Sequence, residues 1–166
     1  GKPYIARVIT RVIPDQATMF LELKSGGVDI MTLTPPQYTR QTETPEFRAS
    51  FNKYKYLASA YTYLGFRLSH PFFKDRRVRQ AIAFAADKAA LIDGVLLGLG
   101  QEATGPYKPG TWAYNPNVRK YPHDPARAKA LLAEAGWKEK NGTLVKAGRP
   151  FEFTVLTNAG NEARAK

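Results

Sequence analysis

The sequence predicts a mixed α/β fold, and three observations support this prediction. Residues 1–69 contain short β-branched and aromatic runs, which are typical of strands. From residue 70 onward, apolar residues recur at spacings of three and four, which is typical of amphipathic helices. Pro71 marks the change, and a strand pair is predicted after the last helix. We therefore divide the chain into two parts, residues 1–69 and residues 70–166.

The first part is predicted to alternate strands with short helices. Residues 5–13 form a β-branched run that ends before Asp15, which is a suitable N-cap for a helix through Lys24. A glycine pair ends that helix, and a short helix is expected to follow Pro36 toward Gln41. The predicted buried face of the first helix consists of Ala17, Phe20, Leu21 and the stem of Lys24. Further strands are predicted at residues 28–33, 47–57 and 61–68.

The second part is predicted to contain three capped helices. Asp75, Asp87 and Asp124 each precede a run with helical spacing and are suitable N-caps. Gly98 or Gly100 would end the second helix, as glycine commonly does at a helix C-terminus. The predicted apolar face of the first helix consists of Val78, Ala81, Ile82, Ala85 and Ala89. The third helix has Pro125 at its first position, Gly136 after its end, and an apolar stripe of Ala128, Leu131, Leu132 and Ala135.

Three arginines near the start of the helix after Asp75 conflict with its dipole. Arg76, Arg77 and Arg79 lie close to the positive N-terminus, where each unpaired cation costs about 0.3–1 kcal/mol. Acidic partners nearby would relieve this conflict, although exposure to solvent is the simpler explanation. The sequence alone therefore leaves both explanations open.

The C-terminal region is predicted to form a hairpin. Asn141 and Gly142 are a typical two-residue turn. Residues 143–146 and then 150–157 follow this turn, have strand composition and are predicted to form a strand pair. Residues 160–166 then resemble the first turns of a helix.

Composition excludes several classes of protein. The sequence contains no cysteine, so it has no disulfide, no cysteine-based zinc site and no thiol nucleophile. No apolar run approaches the roughly 20 residues of a membrane span. The first four residues lack the apolar centre of a signal peptide.

The net charge of +11 raises the alternative of a basic nucleic-acid-binding module. The distribution of charge argues against it, because the excess is spread along the chain. Residues 1–70 carry 9 basic and 5 acidic side chains, and residues 71–166 carry 16 and 9. Affinity for an anionic membrane surface is another explanation for the excess.

No motif in the chain indicates catalysis. His70 and His123 have no second histidine at ligand spacing, so we predict no metal site. Residues 98–103 fit the dinucleotide pattern GxGxxA, but they follow a predicted helix, whereas that motif requires a strand before it. We therefore predict that the protein is not an enzyme and has neither a catalytic residue nor a cofactor. A small hydrolase domain is a further alternative.

Four segments in order resemble family 5 of the extracytoplasmic solute-binding proteins, the peptide-binding components of ABC importers. They are DRRVRQAIAFAAD (75–87), LIDGVLLGLGQEATG (91–105), PGTWAYNP (109–116) and residues 124–137. The resemblance implies part of a type II periplasmic-binding-protein fold, in which residues 1–69 end lobe I and residues 70–166 begin lobe II. Family members have several hundred residues, so the resemblance also implies a fragment whose secretion signal lies upstream.

The resemblance also suggests which residues line the ligand cleft. In related proteins the segment equivalent to YTYLGFR runs along the cleft near the hinge. Aromatic walls accept varied side chains, while polar groups fix a ligand's backbone. Core packing is the alternative role for each aromatic residue. The predicted ligand-binding residues are Tyr61, Tyr63, Phe66, Arg67, Trp112, Tyr114 and Asn158.

The expected partners follow from the same resemblance. The ligand would be a peptide or another small solute such as a nickel chelate or a sugar, and the full-length protein would engage an ABC permease. The expected location is the periplasm or the extracellular face of the bacterial membrane. Exposed edges of the fragment are expected to favour a homo-oligomer.

Overall fold

The computed structural model of the chain describes residues 1–160 and Arg164. The chain divides into two compact units, Gly1–Tyr54 and Lys55–Lys166. This division separates regions of dense internal packing. The predicted lobe boundary at residues 69–70 is a different division and stays a prediction.

The first unit is organised around one small apolar cluster. Helix α1 (Gln16–Lys24) begins at Asp15, whose carboxylate accepts from the Thr18 amide at 2.7 Å, so the predicted cap is confirmed. A π-helical turn occupies Gln37–Gln41, and helix α2 (Pro45–Ser50) follows. The cluster consists of Phe20, Leu23 and Phe47, with Val28, Met31, Leu33 and Phe51 packed against it.

Two predictions for this unit are wrong. The buried face of α1 contains Phe20, as predicted, together with Leu23, whereas the predicted Ala17 and Leu21 are exposed. Residues 47–57 do not form a strand, because α2 covers the start of that range. Thr44 accepts from the Phe47 amide and caps α2, so a local signal at the N-terminus overrides the strand-like composition.

The strands predicted at residues 5–13, 28–33 and 61–68 are also absent from the described part of the chain. A strand exists only when its backbone groups pair with a neighbouring strand. The assigned ladders all lie between residues 138 and 150. The three segments therefore have strand composition without strand pairing.

Helices dominate the second unit. Helix α3 (Arg76–Ala85) and helix α4 (Lys88–Leu96) are capped by Asp75 and Asp87 as predicted. Helix α5 (Pro125–Glu134) is capped by Asp124, whose carboxylate accepts from the Arg127 amide at 2.8 Å. The ends of α4 and α5 carry left-handed residues, including Gly98 (φ 74°) and Gly136 (φ 87°), which confirms the predicted glycine stops.

Helices α3 and α5 run antiparallel and enclose the main core. The Asp124 amide, at the start of α5, donates to the Phe84 carbonyl near the end of α3 at 2.8 Å. Val78 and Ala81 of α3 are buried as predicted, whereas Ala85 and Ala89 are exposed because α3 ends at Ala85. The predicted stripe of α5 is buried throughout, and the core consists of Phe73, Val78, Ala81, Ala128, Leu131, Leu132, Ala135 and Trp137.

Two cations cap the C-terminal end of α5. Arg77 donates to the Glu134 carbonyl and Lys146 donates to the Ala135 carbonyl, each at 2.6 Å. Arg77 is itself held by Asp75, with 2.7 Å between Nη2 and Oδ2. The N-terminus of α3 is thereby fastened to the C-terminus of α5, where a cation is electrostatically favourable.

A small antiparallel sheet follows α5. Strands β1 (Lys138–Lys140), β2 (Thr143–Lys146) and β3 (Arg149–Pro150) lie in the order β1-β2-β3. Asn141 and Gly142 turn the first hairpin with positive φ, as predicted. The strand predicted at residues 150–157 is wrong beyond Pro150, although the Phe151 amide still donates to the Leu144 carbonyl at 2.7 Å. The helix predicted at residues 160–166 lies almost wholly outside the described residues.

The packing of α5 leads to a prediction about the free energy of unfolding. Leu132 is 9% exposed in the core, so Leu132→Ala should lower the free energy of unfolding by about 2–5 kcal/mol. Leu91 is exposed on α4, and Leu91→Ala should cost less than about 0.5 kcal/mol. Chemical denaturation of both variants measures the difference. Equal effects would contradict the assignment of the core.

The Asp75–Arg77 pair leads to a prediction about how stability depends on pH. Arg77 donates to Asp75 and holds the pKa of that carboxyl below its usual value. The pair should therefore stabilise the fold above about pH 3.9 and lose its effect as the pH falls through the lowered pKa. Asparagine caps a helix as well as aspartate, so Asp75→Asn removes the charge and keeps the cap.

We expect Asp75→Asn to cost less than about 1 kcal/mol at neutral pH, because solvent screens the pair. The difference from wild type should shrink below about pH 3.9. Asp93→Asn, which removes an exposed carboxylate from α4, controls for net charge. A difference that persists unchanged at pH 2 in denaturation curves would rule out the ion-pair contribution.

Candidate functional site

The clearest feature of the predicted site is a pair of solvent-facing tyrosines. Tyr61 and Tyr63 lie two residues apart, and their ring centroids are 5.5 Å apart. Tyr61 is 48% exposed and Tyr63 is 74% exposed. The rings and their hydroxyl groups are therefore available to a ligand. The tyrosine pair offers that ligand both an apolar surface and hydrogen-bonding groups.

Phe66 anchors this segment to the core of the second unit. Its ring lies 5.2 Å from that of Phe73, and its side chain is half-buried against the main cluster. The sequence pattern predicts that Phe66 and the tyrosines point to opposite faces. The structure agrees, because Phe66 packs inward while Tyr61 and Tyr63 face solvent.

Two neighbours of Phe66 shape the local surface. Arg67 is exposed, and its Nε donates to the Ser69 hydroxyl at 2.9 Å. Gly65 lies under the ring of Tyr63, since a Cβ added there would be 3.2 Å from Cε2 of that ring. Glycine thus permits the close approach of the ring to the backbone.

Trp112 and Tyr114 lie on the loop between α4 and α5. Trp112 is 99% exposed, whereas Tyr114 is half-buried. Tyr114 lines an open depression of about 210 Å³. The other lining residues are Thr104, Gly105, Pro106, Tyr107, Ala113, Asn115 and Val118. The loop therefore presents one fully exposed ring beside a shallow apolar depression.

A hydrogen bond links this loop to the segment that carries the tyrosines. Lys108 Nζ donates to the Leu57 carbonyl at 3.2 Å. Within the loop, the Thr111 amide donates to the Lys108 carbonyl, and the Tyr114 amide donates to the Thr111 carbonyl. Lys108 thus ties the Trp112 loop to the chain just before Tyr61.

Asn158 is the most C-terminal of the predicted site residues. It is exposed, and its Oδ1 accepts from Arg164 at 3.1 Å. The assignment of Asn158 to the site stays a prediction from the resemblance.

Within residues 1–160 and Arg164, no three His, Cys, Asp or Glu side chains are arranged to hold a metal ion. In the same residues, no helix has both the length and the apolar character needed to cross a membrane.

The comparison with protein families identifies the chain. The model of the bacterial extracellular solute-binding proteins, family 5 Middle, matches residues 1–166. The chain belongs to this family. The matching part of the chain includes every predicted site residue.

Relatives in the family agree with this assignment. The chain is 37% identical to the oligopeptide-binding protein AppA of Bacillus subtilis over 171 residues, which cover 99% of this chain and 30% of AppA. It is 33% identical to heme-binding protein A of Haemophilus influenzae, over 82% of this chain and 24% of that protein. The chain thus spans less than a third of the length of these relatives.

Solved structures place the chain in the type II periplasmic-binding-protein fold. AppA in complex with a nonapeptide superposes with a TM-score of 0.76 at 35% identity, over 93% of this chain and 31% of AppA. NikZ from Campylobacter jejuni in complex with Ni(L-His) gives 0.73 at 31% identity, over 85% of this chain and 28% of NikZ. The predicted mixed fold and family are confirmed, and these matches give no support to the nucleic-acid alternative.

Sequence reasoning missed two residues near the predicted site, Gly65 and Tyr107. Gly65 was detectable, because a glycine inside a strand-like aromatic run indicates close approach of another group. Tyr107, which is exposed and lines the depression with Tyr114, carries no such signal. The position of Tyr107 depends on how the long loop between α4 and α5 folds.

The different exposure of the two tryptophans leads to a prediction about their fluorescence. Trp112 is 99% exposed, whereas Trp137 is 3% exposed in the core. Trp112→Phe should therefore remove the red-shifted emission that acrylamide quenches, and leave a blue-shifted, protected emission from Trp137. Loss of the protected emission in this variant would contradict the exposure of the loop.

Proposed function

We propose that this chain forms part of an extracytoplasmic solute-binding protein that captures peptides for an ABC importer. The observation that carries the proposal is the family 5 match over residues 1–166. The name of AppA, which shares 37% identity with the chain, points to oligopeptides as the ligand class. The names of other relatives mention heme and a nickel–histidine complex, so a metal chelate is the second candidate ligand.

The exposed aromatic residues support capture of a chemically varied ligand. Tyr61 and Tyr63 offer two neighbouring rings, and Trp112 offers a third on the linked loop. Ring faces contact side chains of many shapes, while tyrosine hydroxyls and the Arg67 guanidinium hydrogen-bond to peptide carbonyl and carboxylate groups. We assign ligand contact to these residues together with Tyr114 and Asn158, and assign Phe66 the role of holding the segment in place.

The proposed mechanism is binding without chemistry. In the whole protein, two lobes would close on the ligand, bury it, and present the closed form to a permease. The proposal places the protein in the periplasm or on the extracellular face of the membrane, which is typical of family 5. It requires no nucleophile, no general base and no cofactor.

Tyr61, Tyr63 and Trp112 are exposed to solvent, so we expect weak binding by this chain. A ligand bound at such an exposed surface keeps its polar groups solvated, and little affinity remains after the entropic cost of ordering the ligand and the side chains. We therefore expect dissociation constants of about 1 mM or weaker. The location of binding is consequently a sharper test than its strength.

The test is a side-chain NMR titration of the 166-residue chain with the tripeptide Ala-Phe-Ala. The aromatic resonances of Tyr61, Tyr63 and Trp112 should shift together and saturably. Tyr63→Ala should weaken these shifts at the remaining rings. Tyr56→Ala is the matched control, because Tyr56 is at least as exposed as Tyr63, lies in the same unit and is outside the predicted site.

Shifts confined to other surfaces, or equal effects of the two substitutions, would contradict the proposal. A parallel titration with duplex DNA tests the nucleic-acid alternative. Binding to DNA that falls steeply between low and moderate salt, with no response to the tripeptide, would favour that alternative.

Self-association of the chain is a separate part of the proposal. Apolar side chains stand exposed on segments with strand composition, and such segments pair readily with another chain. They include Ile5, Val8, Ile9 and Val12 in the first unit and Leu57, Val155 and Leu156 in the second. Light scattering should give a mass above the 18.5 kDa of one chain, and a monomer at high concentration would exclude this part.

A further inference from the structure

Tyr121 lies at the centre of a group of hydrogen-bond donors that the solute-binding proposal does not use. Gln80 Nε2 of α3 donates to the Tyr121 hydroxyl at 3.3 Å. Arg76, in the first turn of α3, lies near enough for its charge to lower the pKa of Tyr121. The Arg119 guanidinium lies 5.4 Å from the centroid of the Tyr121 ring. Two guanidinium groups, an amide and a phenol are thus gathered in one place.

The protein holds Tyr121 in a defined position. The Tyr121 ring packs edge-on against Phe84, with 5.2 Å between the centroids. Lys88 Nζ donates to the Tyr121 carbonyl at 2.9 Å. Side-chain and backbone contacts from α3 and α4 therefore fix the phenol. The Tyr121 hydroxyl accepts from Gln80, and its own proton has no acceptor among the described residues.

The group carries positive charge that no described carboxylate neutralises. Within residues 1–160 and Arg164, neither Arg76 nor Arg119 forms an ion pair. The two carboxylates that contact the neighbouring segments already have partners. Glu102 pairs with Lys88, and Asp87 pairs with His123 at 3.2 Å.

The ionisation of Tyr121 is consistent with this excess of positive charge. The hydrogen bond from Gln80 is the main cause that lowers the pKa of Tyr121, and the charges of Arg119 and Arg76 lower it further. These groups favour negative charge at the phenol oxygen. They would favour the negative oxygen of a bound anion for the same reason.

We propose that Arg76, Arg119 and Tyr121 bind a phosphate-type anion, either free phosphate or the phosphodiester of a lipid headgroup. Guanidinium groups present fixed pairs of N–H donors that match phosphate oxygens. The donors come from α3 and from the segment that leads into α5. A tetrahedral phosphate has oxygens for donors that converge from different sides, whereas a planar carboxylate has only two oxygens.

The first test is an NMR titration of the 166-residue chain with inorganic phosphate at low ionic strength. The Nε–Hε signals of Arg76 and Arg119 should shift saturably. Arg149→Gln is the matched control, because Arg149 is exposed on β3 and its loss changes the net charge equally. Each of Arg76→Gln and Arg119→Gln should weaken binding about tenfold, as expected for one charged hydrogen bond. Arg149→Gln should change it less than twofold.

Tyr121→Phe keeps the charge and removes only the hydroxyl, so it should weaken phosphate binding by a smaller factor. Thermal melting of each variant checks that the fold is kept. Equal shifts of all exposed arginines, or an equal effect of Arg149→Gln, would overturn the proposal. Acetate that binds as tightly as phosphate would also overturn it.

Vesicle sedimentation distinguishes the two sources of phosphate. Binding to phosphatidylglycerol vesicles that the double variant Arg76→Gln/Arg119→Gln loses, and Arg149→Gln keeps, assigns the site to a lipid headgroup. Phosphate binding without vesicle binding assigns it to the free anion. Vesicle binding that all these variants lose equally, with no saturable phosphate response, would show general charge attraction and contradict the site.

Discussion

The contact from Arg77 to the end of α5 joins the two helices that enclose the main core of the second unit. Asp75 caps α3 and orients Arg77, and Arg77 then donates to the Glu134 carbonyl. The sequence places this arginine at the positive end of α3, where a cation is unfavourable. The structure resolves the conflict, because the same guanidinium lies at the negative end of an antiparallel helix. Pairing with Asp75 and capping of α5 together replace the simpler expectation that Arg77 is only solvated.

The helix pair determines where the aromatic surface lies. Fastening α3 to α5 encloses Val78 and Ala81, and Phe73 joins the same core just before α3. Phe73 contacts Phe66 on one segment and Phe153 on another, with ring centroids 5.2 Å apart in both cases. Phe66 facing inward leaves Tyr63 facing solvent, as alternation along an extended segment requires. The packing of Phe66 on the core therefore positions the proposed ligand surface.

Local signals allowed the sequence to predict the helices. Asp15, Asp75, Asp87 and Asp124 each cap a helix in the structure, because a cap depends only on residues within one turn. Thr44 gives the same kind of signal before Pro45 and Glu46. The strand predicted at residues 47–57 rests on the strand-like residues that follow Thr44, and it is wrong because α2 occupies Pro45–Ser50.

Pairing between distant segments could not be predicted in this way. Residues 5–13 and 61–68 have strand composition, yet a ladder requires a partner that composition does not name. The site shows the same contrast. The opposite orientations of Tyr63 and Phe66 follow from alternation along the chain, whereas the link between Lys108 and Leu57 joins residues 51 positions apart. The family could be predicted, because the resemblance rests on the order of four segments and not on their tertiary contacts.

Native-state hydrogen exchange tests the central role of the α3–α5 pair most directly. In the wild-type chain, the amides of α3 and α5 should exchange most slowly, and those of residues 52–64 much faster, because the latter lack helix or strand pairing. Arg77→Gln should accelerate exchange at the start of α3 and the end of α5 together, with a smaller change in α4. Exchange in α3 and α5 as fast as in residues 52–64, or acceleration confined to α3, would contradict the account.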